Sequence, residues 1–288
     1  MQAIVNEQNL TIIEVIQRSE IYLKKKGIEF PKLDAEWMTA HAMGCSRLDL
    51  YLRFEEVLTP EQTLKVRNMV IERGQRVPLQ YIFAVMDFSE ISLKVDQRAL
   101  IPRPETEFLI EVVCERLVSD FDGQVADLGT GTGAIILSLA KRFPKLKGYG
   151  FEKSPQALEL FKENREFCQL NDNVKCQHFD WNKDTLRDRS FDLIISNPPY
   201  LTEQEWNDAQ PEISKYEPVN ALIAGENGFS DIRKVVYLAK RALKQKGMIA
   251  LEVGIHHPSK VKKELCDQFD VSIVKDLNKK ERYVIATR

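Results

Sequence analysis

Apolar positions along this chain recur with two different periods, and the change from one to the other divides it. Up to about residue 77 the spacing is helical. Ile12, Val15, Ile16, Ile21 and Leu23 follow Thr11-Ile12-Ile13-Glu14, a capping box, and Gly27 stops the run. A second helix is predicted over 33–43, closed by Gly44. A third opens at Thr59-Pro60-Glu61-Gln62, with Pro60 at its first helical position, and ends at Gly74. From 78 to 100 the pattern shortens. Tyr81-Ile82-Phe83 and residues 91–95 read as two strands around a turn at 87–90, a hairpin bridging two domains. Pro102 and Pro104 then predict an extended turn, with a helix over 108–118.

Beyond residue 120, short apolar runs alternate with helical stretches. Strands are predicted at 124–128, 148–152, 174–179, 191–196, 248–253, 271–275 and 283–286, with helices over 134–143, 155–170 and 230–246 among them. This alternation implies an α/β fold: a mostly parallel sheet covered by helices on both faces. The expected division is a helical domain at 1–77, a β-hairpin linker at 78–100 and the α/β domain at 101–288. Nothing in the helical part clusters polar groups as a catalytic site does; docking and plain stabilisation are equally good readings of it.

Composition narrows the class. Of 288 residues, 43% are hydrophobic and 29% charged, enough for a full core and a soluble surface, and the net charge of −2 lacks the basic surplus of a dedicated nucleic-acid binder. Lys24 to Lys26 sit at a predicted helix end, where cations complement the dipole. The five cysteines are scattered without a C-x-x-C pair, and His256 and His257 are adjacent, so no metal-ligand spacing is present. That cysteine usage suits a reducing cytosol. Residues 1–8 lack the basic and apolar segments of a leader, and no apolar run is long enough to span a membrane. A cytoplasmic location is expected.

Val125-Ala126-Asp127-Leu128-Gly129-Thr130-Gly131-Thr132-Gly133-Ala134 runs from the first strand of the α/β domain into its first helix. Glycines there permit a sharp turn and let backbone approach a ligand. Glu152, ending the next strand, stands where a carboxylate accepts hydrogen bonds from ribose hydroxyls. Gly129 through Gly133 with Glu152 therefore predict an adenosine-type cofactor. Gly129, Gly131 and Ala134 also satisfy the dinucleotide fingerprint, which leaves the cofactor's identity open at this point. Trp181, after the third strand of the domain, is an ordinary core residue by composition and a candidate adenine contact by position.

The fourth strand ends in Ser196-Asn197-Pro198-Pro199-Tyr200. Ligands of open α/β sheets bind outside the carboxyl ends of strands, so this tetrapeptide belongs beside the glycine-rich turn. A proline after it makes Asn197 extended, and Pro198 and Pro199 offer carbonyls without amide donors. The Asn197 oxygen and the Pro198 carbonyl form a stiff pair of acceptors, matched to the two hydrogens of a conjugated NH₂ group. Tyr200 adds an aromatic wall and cation–π attraction for a sulfonium. The pattern points to methyl transfer onto a planar, weakly nucleophilic nitrogen, with Asn197 and Pro198 as the catalytic pair and Asn197 through Tyr200 as the substrate contacts. The competing reading is a simple Asn-Pro-Pro turn.

On these residues the chain resembles the bacterial peptide chain release factor glutamine N5-methyltransferases. The resemblance spans essentially the whole chain. It rests on Leu100-Ile101-Pro102-Arg103-Pro104-Glu105-Thr106-Glu107, the loop from Asp127 to Gly133, Asn197 to Tyr200, Tyr216-Glu217-Pro218 with Ala221-Leu222, and the closing segment around Glu281-Arg282. It implies a Rossmann-like seven-stranded methyltransferase domain and S-adenosylmethionine as cofactor. Gly129, Thr130, Gly131, Thr132, Gly133, Glu152, Trp181 and Asn197 are the implied cofactor contacts. The implied substrate is the glutamine of the Gly-Gly-Gln tripeptide in class I release factors, docked by the N-terminal helices. Three positions depart from the family. Phe83-Ala84 stands where a glycine is usual, Glu152 replaces an aspartate, and a glutamine expected near His257 is missing.

Rival readings remain distinct. The sister class that methylates a ribosomal-protein glutamine shares Asn-Pro-Pro-Tyr, but differs in the segment before the core from Pro102 to Glu107. Methylation of exocyclic amino groups in DNA or RNA uses the same tetrapeptide and normally adds basic and aromatic surface. A nicotinamide oxidoreductase gives Asn197 to Tyr200 no role in hydride transfer, and a non-catalytic binding protein gives them none at all.

Overall fold

A computed structural model describes residues 10–288, which separate into two compact units, one ending at Phe83 and the other spanning Ala84–Arg288. The stretch 1–8, read above for a leader, lies outside the described residues.

The first unit is helical: α1 (Ile12–Lys25), α2 (Pro31–Met43), α3 (Arg47–Leu52), α4 (Pro60–Gly74) and α5 (Leu79–Phe83). Reciprocal capping boxes open α1 at Thr11, α3 at Ser46 and α4 at Thr59, and Gly44 ends α2 in the left-handed region at φ 65°. The buried faces of these helices meet in one core containing Ile12, Ile16, Leu23, Met38, Leu50 and Val66. The expected strand at Tyr81-Ile82-Phe83 is not formed. The Tyr81 and Ile82 amides donate to the Pro78 carbonyl at 3.1 and 3.2 Å, coiling the segment into α5, and Ile82 and Phe83 pack on the unit's core. Strand-forming side chains here yield to tertiary contact.

The second unit begins with a hairpin, β1 (Val85–Phe88) and β2 (Ile91–Lys94), whose pairing leaves Ser89 and Glu90 as a two-residue turn. Then come α6 (Pro104–Cys114), β3 (Gln124–Leu128), α7 (Ala134–Arg142), β4 (Lys147–Glu152), α8 (Pro155–Phe167), β5 (Val174–His178) and β6 (Phe191–Ser196). They are followed by α9 (Glu203–Asn207), α10 (Pro211–Tyr216), α11 (Gly225–Gly228), α12 (Ser230–Ala242), β7 (Leu243–Glu252), α13 (Pro258–Leu265), β8 (Asp270–Lys275) and β9 (Glu281–Thr287). The helix expected at 108–118 starts four residues sooner, because Pro104 occupies the first helical position, where a missing N–H costs nothing. The helix expected over 230–246 stops at Ala242, and β7 begins there.

Seven strands form one sheet in the order β5-β4-β3-β6-β7-β9-β8, parallel except at β9, which runs against both neighbours. Alternate residues face opposite layers. Val125, Leu193, Ile195, Ala250 and Ile285 meet α6, α7, α8 and the hairpin. Ala126, Ile194, Ile249, Leu251 and Val284 meet α12 and α13. Chain direction across the sheet reverses between β3 and β6, the position at which open α/β sheets form a crevice.

The missing family glycine has a structural consequence. Ala84 sits at φ 60°, a conformation that disfavours any Cβ by roughly 1–2 kcal/mol. Ala84→Gly should raise stability by up to about 1 kcal/mol, since the entropy glycine adds to the unfolded chain offsets part of the relief. Urea midpoints of the two proteins measure this, and a lower midpoint for the variant would contradict it.

Candidate active site

The sheet's carboxyl edge brings together the glycine loop, Glu152, Trp181 and the turn that starts at Asn197. The Ser196 hydroxyl, fully buried, donates to the Leu128 carbonyl at 2.6 Å, joining the ends of β6 and β3. Gly129 and Asn197 are the next residues along each strand, so the glycine loop and the Asn-Pro-Pro-Tyr turn leave the sheet side by side.

The loop is held from several sides. Gly129 and Thr130 amides donate to the Phe151 carbonyl at 2.9 and 3.1 Å, tying the loop to β4. Gly129, Gly131 and Gly133 all have left-handed φ, at 73°, 57° and 86°. A Cβ on Gly133 would stand 2.3 Å from Phe161, so close packing forbids a side chain there as well. From α8, the buried Asn164 amide donates to the carbonyls of Thr132 and Lys94, both at 3.0 Å, and its oxygen accepts the Lys94 amide at 2.7 Å. Thr130 and Thr132 have buried side chains, so the loop offers a ligand mainly its backbone.

Glu152 ends β4 beside this loop. Its carboxylate accepts the Gly131 amide at 2.9 Å and the Ser154 amide at 2.8 Å. Carboxylate oxygens have spare lone pairs, so acceptance of ribose hydroxyls remains open to it. Trp181 lies over the loop. A Cβ on Gly129 would come within 3.2 Å of its ring, whose Nε1 donates to Asp231 of α12 at 3.0 Å. This cradle fits an adenosine cofactor: backbone without Cβ at the turn, a carboxylate on one side and an indole ring on another.

Beneath the loop, Asp127 is completely buried. Burial pushes its carboxyl up to about 7, against the pull of the Thr130 hydroxyl, which donates to it at 2.5 Å.

Beyond β6, a cavity of about 270 Å³ is lined by Asn197, Pro198, Pro199 and Tyr200, with Arg103 and Glu252 among its other walls. Asn197 Nδ2 donates to the Thr106 hydroxyl at 3.1 Å, Thr106 donates to Glu252 Oε2 at 2.7 Å, and the Tyr200 hydroxyl donates to Glu252 Oε1 at 3.3 Å. Burial raises the Tyr200 hydroxyl, and the neighbouring Glu252 charge adds to it. Glu217, also buried, accepts the Ile101 amide at 3.1 Å and pairs with Arg103, which pins the segment entering α6. Thr106, Glu217 and Glu252 received no role from the sequence. Their partners lie 91 to 146 positions away for Thr106 and 114 to 116 for Glu217, distances at which no local pattern signals contact. Among the described residues, no group of three or more His, Cys, Asp or Glu gathers to hold a metal ion, and no helix is long and apolar enough to cross a membrane.

A glycine-rich turn beside the Asn-Pro-Pro-Tyr turn, on a seven-stranded sheet with antiparallel β9, is the architecture of an S-adenosylmethionine-dependent methyltransferase. Family models agree along the chain: residues 14–83 match the PrmC N-terminal domain and residues 104–213 the methyltransferase small domain. The release factor glutamine methyltransferase of Rhodopirellula baltica is 33% identical over 285 residues, covering 96% of each chain. That of Geobacter sulfurreducens is 35% identical over 246 residues, 85% of this chain and 84% of its own. A solved methyltransferase structure from Pyrococcus furiosus shares the fold at a TM-score of 0.50 and 18% identity, covering 68% of this chain and 87% of the other. The chain belongs to the release factor glutamine methyltransferase family.

Asp127 carries a pH signature. Its folded value lies above the unfolded one, near 3.9, so between about pH 4 and 7 the folded state holds a proton that the unfolded chain lacks. Stability from this group is full below that window and lost as pH rises through it. Asp127→Asn should therefore gain on the wild type from pH 5 to pH 8 in denaturation midpoint; a constant difference between the two proteins would refute the assignment.

Proposed function

We infer that this protein transfers a methyl group from S-adenosylmethionine to the side-chain amide nitrogen of the glutamine in the Gly-Gly-Gln tripeptide of class I release factors. The observation that carries this reading is the cavity walled by Asn197 to Tyr200 next to the glycine loop, in a chain whose relatives of near-equal length are named release factor glutamine methyltransferases. In this reading residues 1–77 dock the partner, 78–100 bridge, and 101–288 transfer the methyl group in the cytoplasm.

When bound, S-adenosylmethionine supplies an electrophilic methyl group on a cationic sulfur. Gly129 to Gly133 would let its amino-acid end approach the backbone with no Cβ in the way and Glu152 would accept its ribose hydroxyls, while Trp181 would face its adenine and Asn197 would lie against it at the junction with substrate. Asn197 Oδ1 and the Pro198 carbonyl would each accept one hydrogen of the glutamine NH₂. With both hydrogens held, the nitrogen lone pair is drawn out of conjugation and turned toward the cofactor side. Pro199 keeps the turn stiff and Tyr200 walls the planar amide. In the transfer these residues would hold the nitrogen while an N–C bond replaces one of its N–H bonds, the sulfur keeping the S–C electron pair as a neutral thioether and the displaced proton passing to solvent. Exclusion of water and alignment supply most of the acceleration.

A ribosomal-protein glutamine or an exocyclic base nitrogen are the alternatives, and one experiment separates all three. Purified class I release factor, its Gly-Gly-Gln glutamine variant, a ribosomal-protein fraction and DNA are each offered with labelled S-adenosylmethionine. Label on the intact release factor and none on the variant is expected; label elsewhere would overturn the partner. Asn197→Ala should abolish transfer, by about a hundredfold or more, while cofactor affinity in calorimetry weakens only in part. An Asn197→Ala enzyme of near-normal turnover would sink the mechanism.

Gly131→Val tests the cradle separately. At φ 57° a branched side chain strains the turn, and its Cβ would enter open space with nothing nearer than Ala99 at 4.0 Å. Loss of measurable cofactor binding is expected, and unchanged affinity would remove the loop from the site.

A further inference from the structure

An asparagine side chain has two ends of nearly equal shape and opposite hydrogen-bonding sense. Holding an amide NH₂, as the proposed function requires of Asn197, needs the oxygen turned to the substrate. With the nitrogen there instead, hydrogens would face hydrogens. Pro198 and Pro199 stiffen the backbone but have no N–H to select between the two side-chain orientations.

The selection comes from outside the turn. Asn197 Nδ2 lies 3.1 Å from the Thr106 hydroxyl, which by itself accepts or donates with equal ease. Its single hydrogen is committed to Glu252 Oε2, at 2.7 Å, so Thr106 presents only lone pairs to Asn197. The reversed asparagine would set two acceptors against each other. Thr106 is 5% and Glu252 1% exposed, so water does not relieve such a mismatch. We propose that Thr106 on α6 and Glu252 at the end of β7 are positioning residues that turn the Asn197 oxygen toward the substrate amide, acting through Asn197 rather than on the reacting nitrogen.

Several charged and titratable groups face Glu252. Glu105 comes from α6 with Thr106, Tyr200 from the turn after β6, and Arg282 and Tyr283 from β9, with Asp276 paired to Arg282 at 3.1 Å. Burial pushes the Glu252 carboxyl up to about 6, while Thr106 and Arg282 hold it down. A protonated Glu252 is no longer an obligate acceptor, and the chain of commitments through Thr106 lapses. The low-pH limb of turnover thus follows from the geometry: kcat falls as pH drops through about 6.

Thr106→Val keeps the shape and removes the hydroxyl, Thr106→Ser restores it, and Glu252→Gln replaces an acceptor-only group. The readouts are kcat and KM with a class I release factor from pH 5 to 8.5, and cofactor affinity by calorimetry. Thr106→Val should lower kcat by about tenfold to a hundredfold, leave KM and cofactor affinity within about threefold, and lack the low-pH limb. Thr106→Ser should recover most of the loss, and Glu252→Gln should be impaired with a flattened profile. Wild-type kcat in Thr106→Val, or a persistent low-pH limb in it, would overturn the proposal, the latter by placing Glu252 on the substrate itself. A second readout needs no substrate and is taken on the wild type, with one variant used only to assign the signal. The Asn197 side-chain NH₂ signal in ¹⁵N spectra, assigned by its absence from Asn197→Ser, should shift as the wild type is titrated from pH 8 to 5. A signal that stays still overturns the relay even if the release factor is methylated. A signal that moves in a protein that labels no release factor keeps the relay and rejects the substrate.

Discussion

Parallel pairing of β3 with β6 is the constraint on which the site depends. Two parallel neighbours deliver their carboxyl ends to the same edge, and here the strand order turns back between them, so the connections after β3 and β6 leave toward opposite faces of the sheet. The Ser196 hydroxyl on the Leu128 carbonyl joins the two ends. One strand then releases a loop built for close backbone approach, the other a turn that cannot donate from its prolines. In the proposed reaction, a cofactor methyl and an amide nitrogen would meet because both loops leave from that joint.

Around it, carboxylates bear an unusual share of the structure. Asp127, Glu217 and Glu252 are all buried, and each is engaged by a hydroxyl, an amide or a guanidinium: Thr130 for Asp127, Ile101 and Arg103 for Glu217, Thr106 and Tyr200 for Glu252. Buried charge that is hydrogen-bonded rarely adds stability, but its directional demands are strict. Stability spent here yields geometry: a fixed loop, a pinned entry to α6 and a carboxamide with one orientation. The upward pull on Asp127 and Glu252 is the electrostatic trace of that cost.

Departures from the family pattern show how local backbone absorbs change. Ala84 takes the left-handed conformation that glycine would hold without strain, so the turn survives with a different residue. Glu152, longer by one methylene than the usual aspartate, spans to the Gly131 and Ser154 amides and becomes a brace of the loop as well as its acidic neighbour. His257, near the missing glutamine, is buried with Nε2 3.0 Å from the Asn227 carbonyl.

Periodicity in the sequence was enough to specify the three long helices of the first unit, though not the short α3, and the seven strands and the order in which they alternate, because burial of one face imposes a repeat of 3.6 or 2 on neighbouring residues. Glycines at 129, 131 and 133 and the prolines at 198 and 199 were legible for a similar reason: their backbone restrictions act on the spot. Tyr81 to Phe83 misled because a strand-like composition carries no weight against packing that the local sequence does not contain. The partners of Thr106, Glu217 and Glu252 were out of reach for the same cause. A hydroxyl or carboxylate has no partner until the chain folds, and contacts between α6, β7 and the turn after β6 join residues far apart in sequence. The sequence by itself determined which backbone segments can form the site; only the tertiary structure decided which side chains orient it, since hydrogen-bond direction is settled between groups that meet in space.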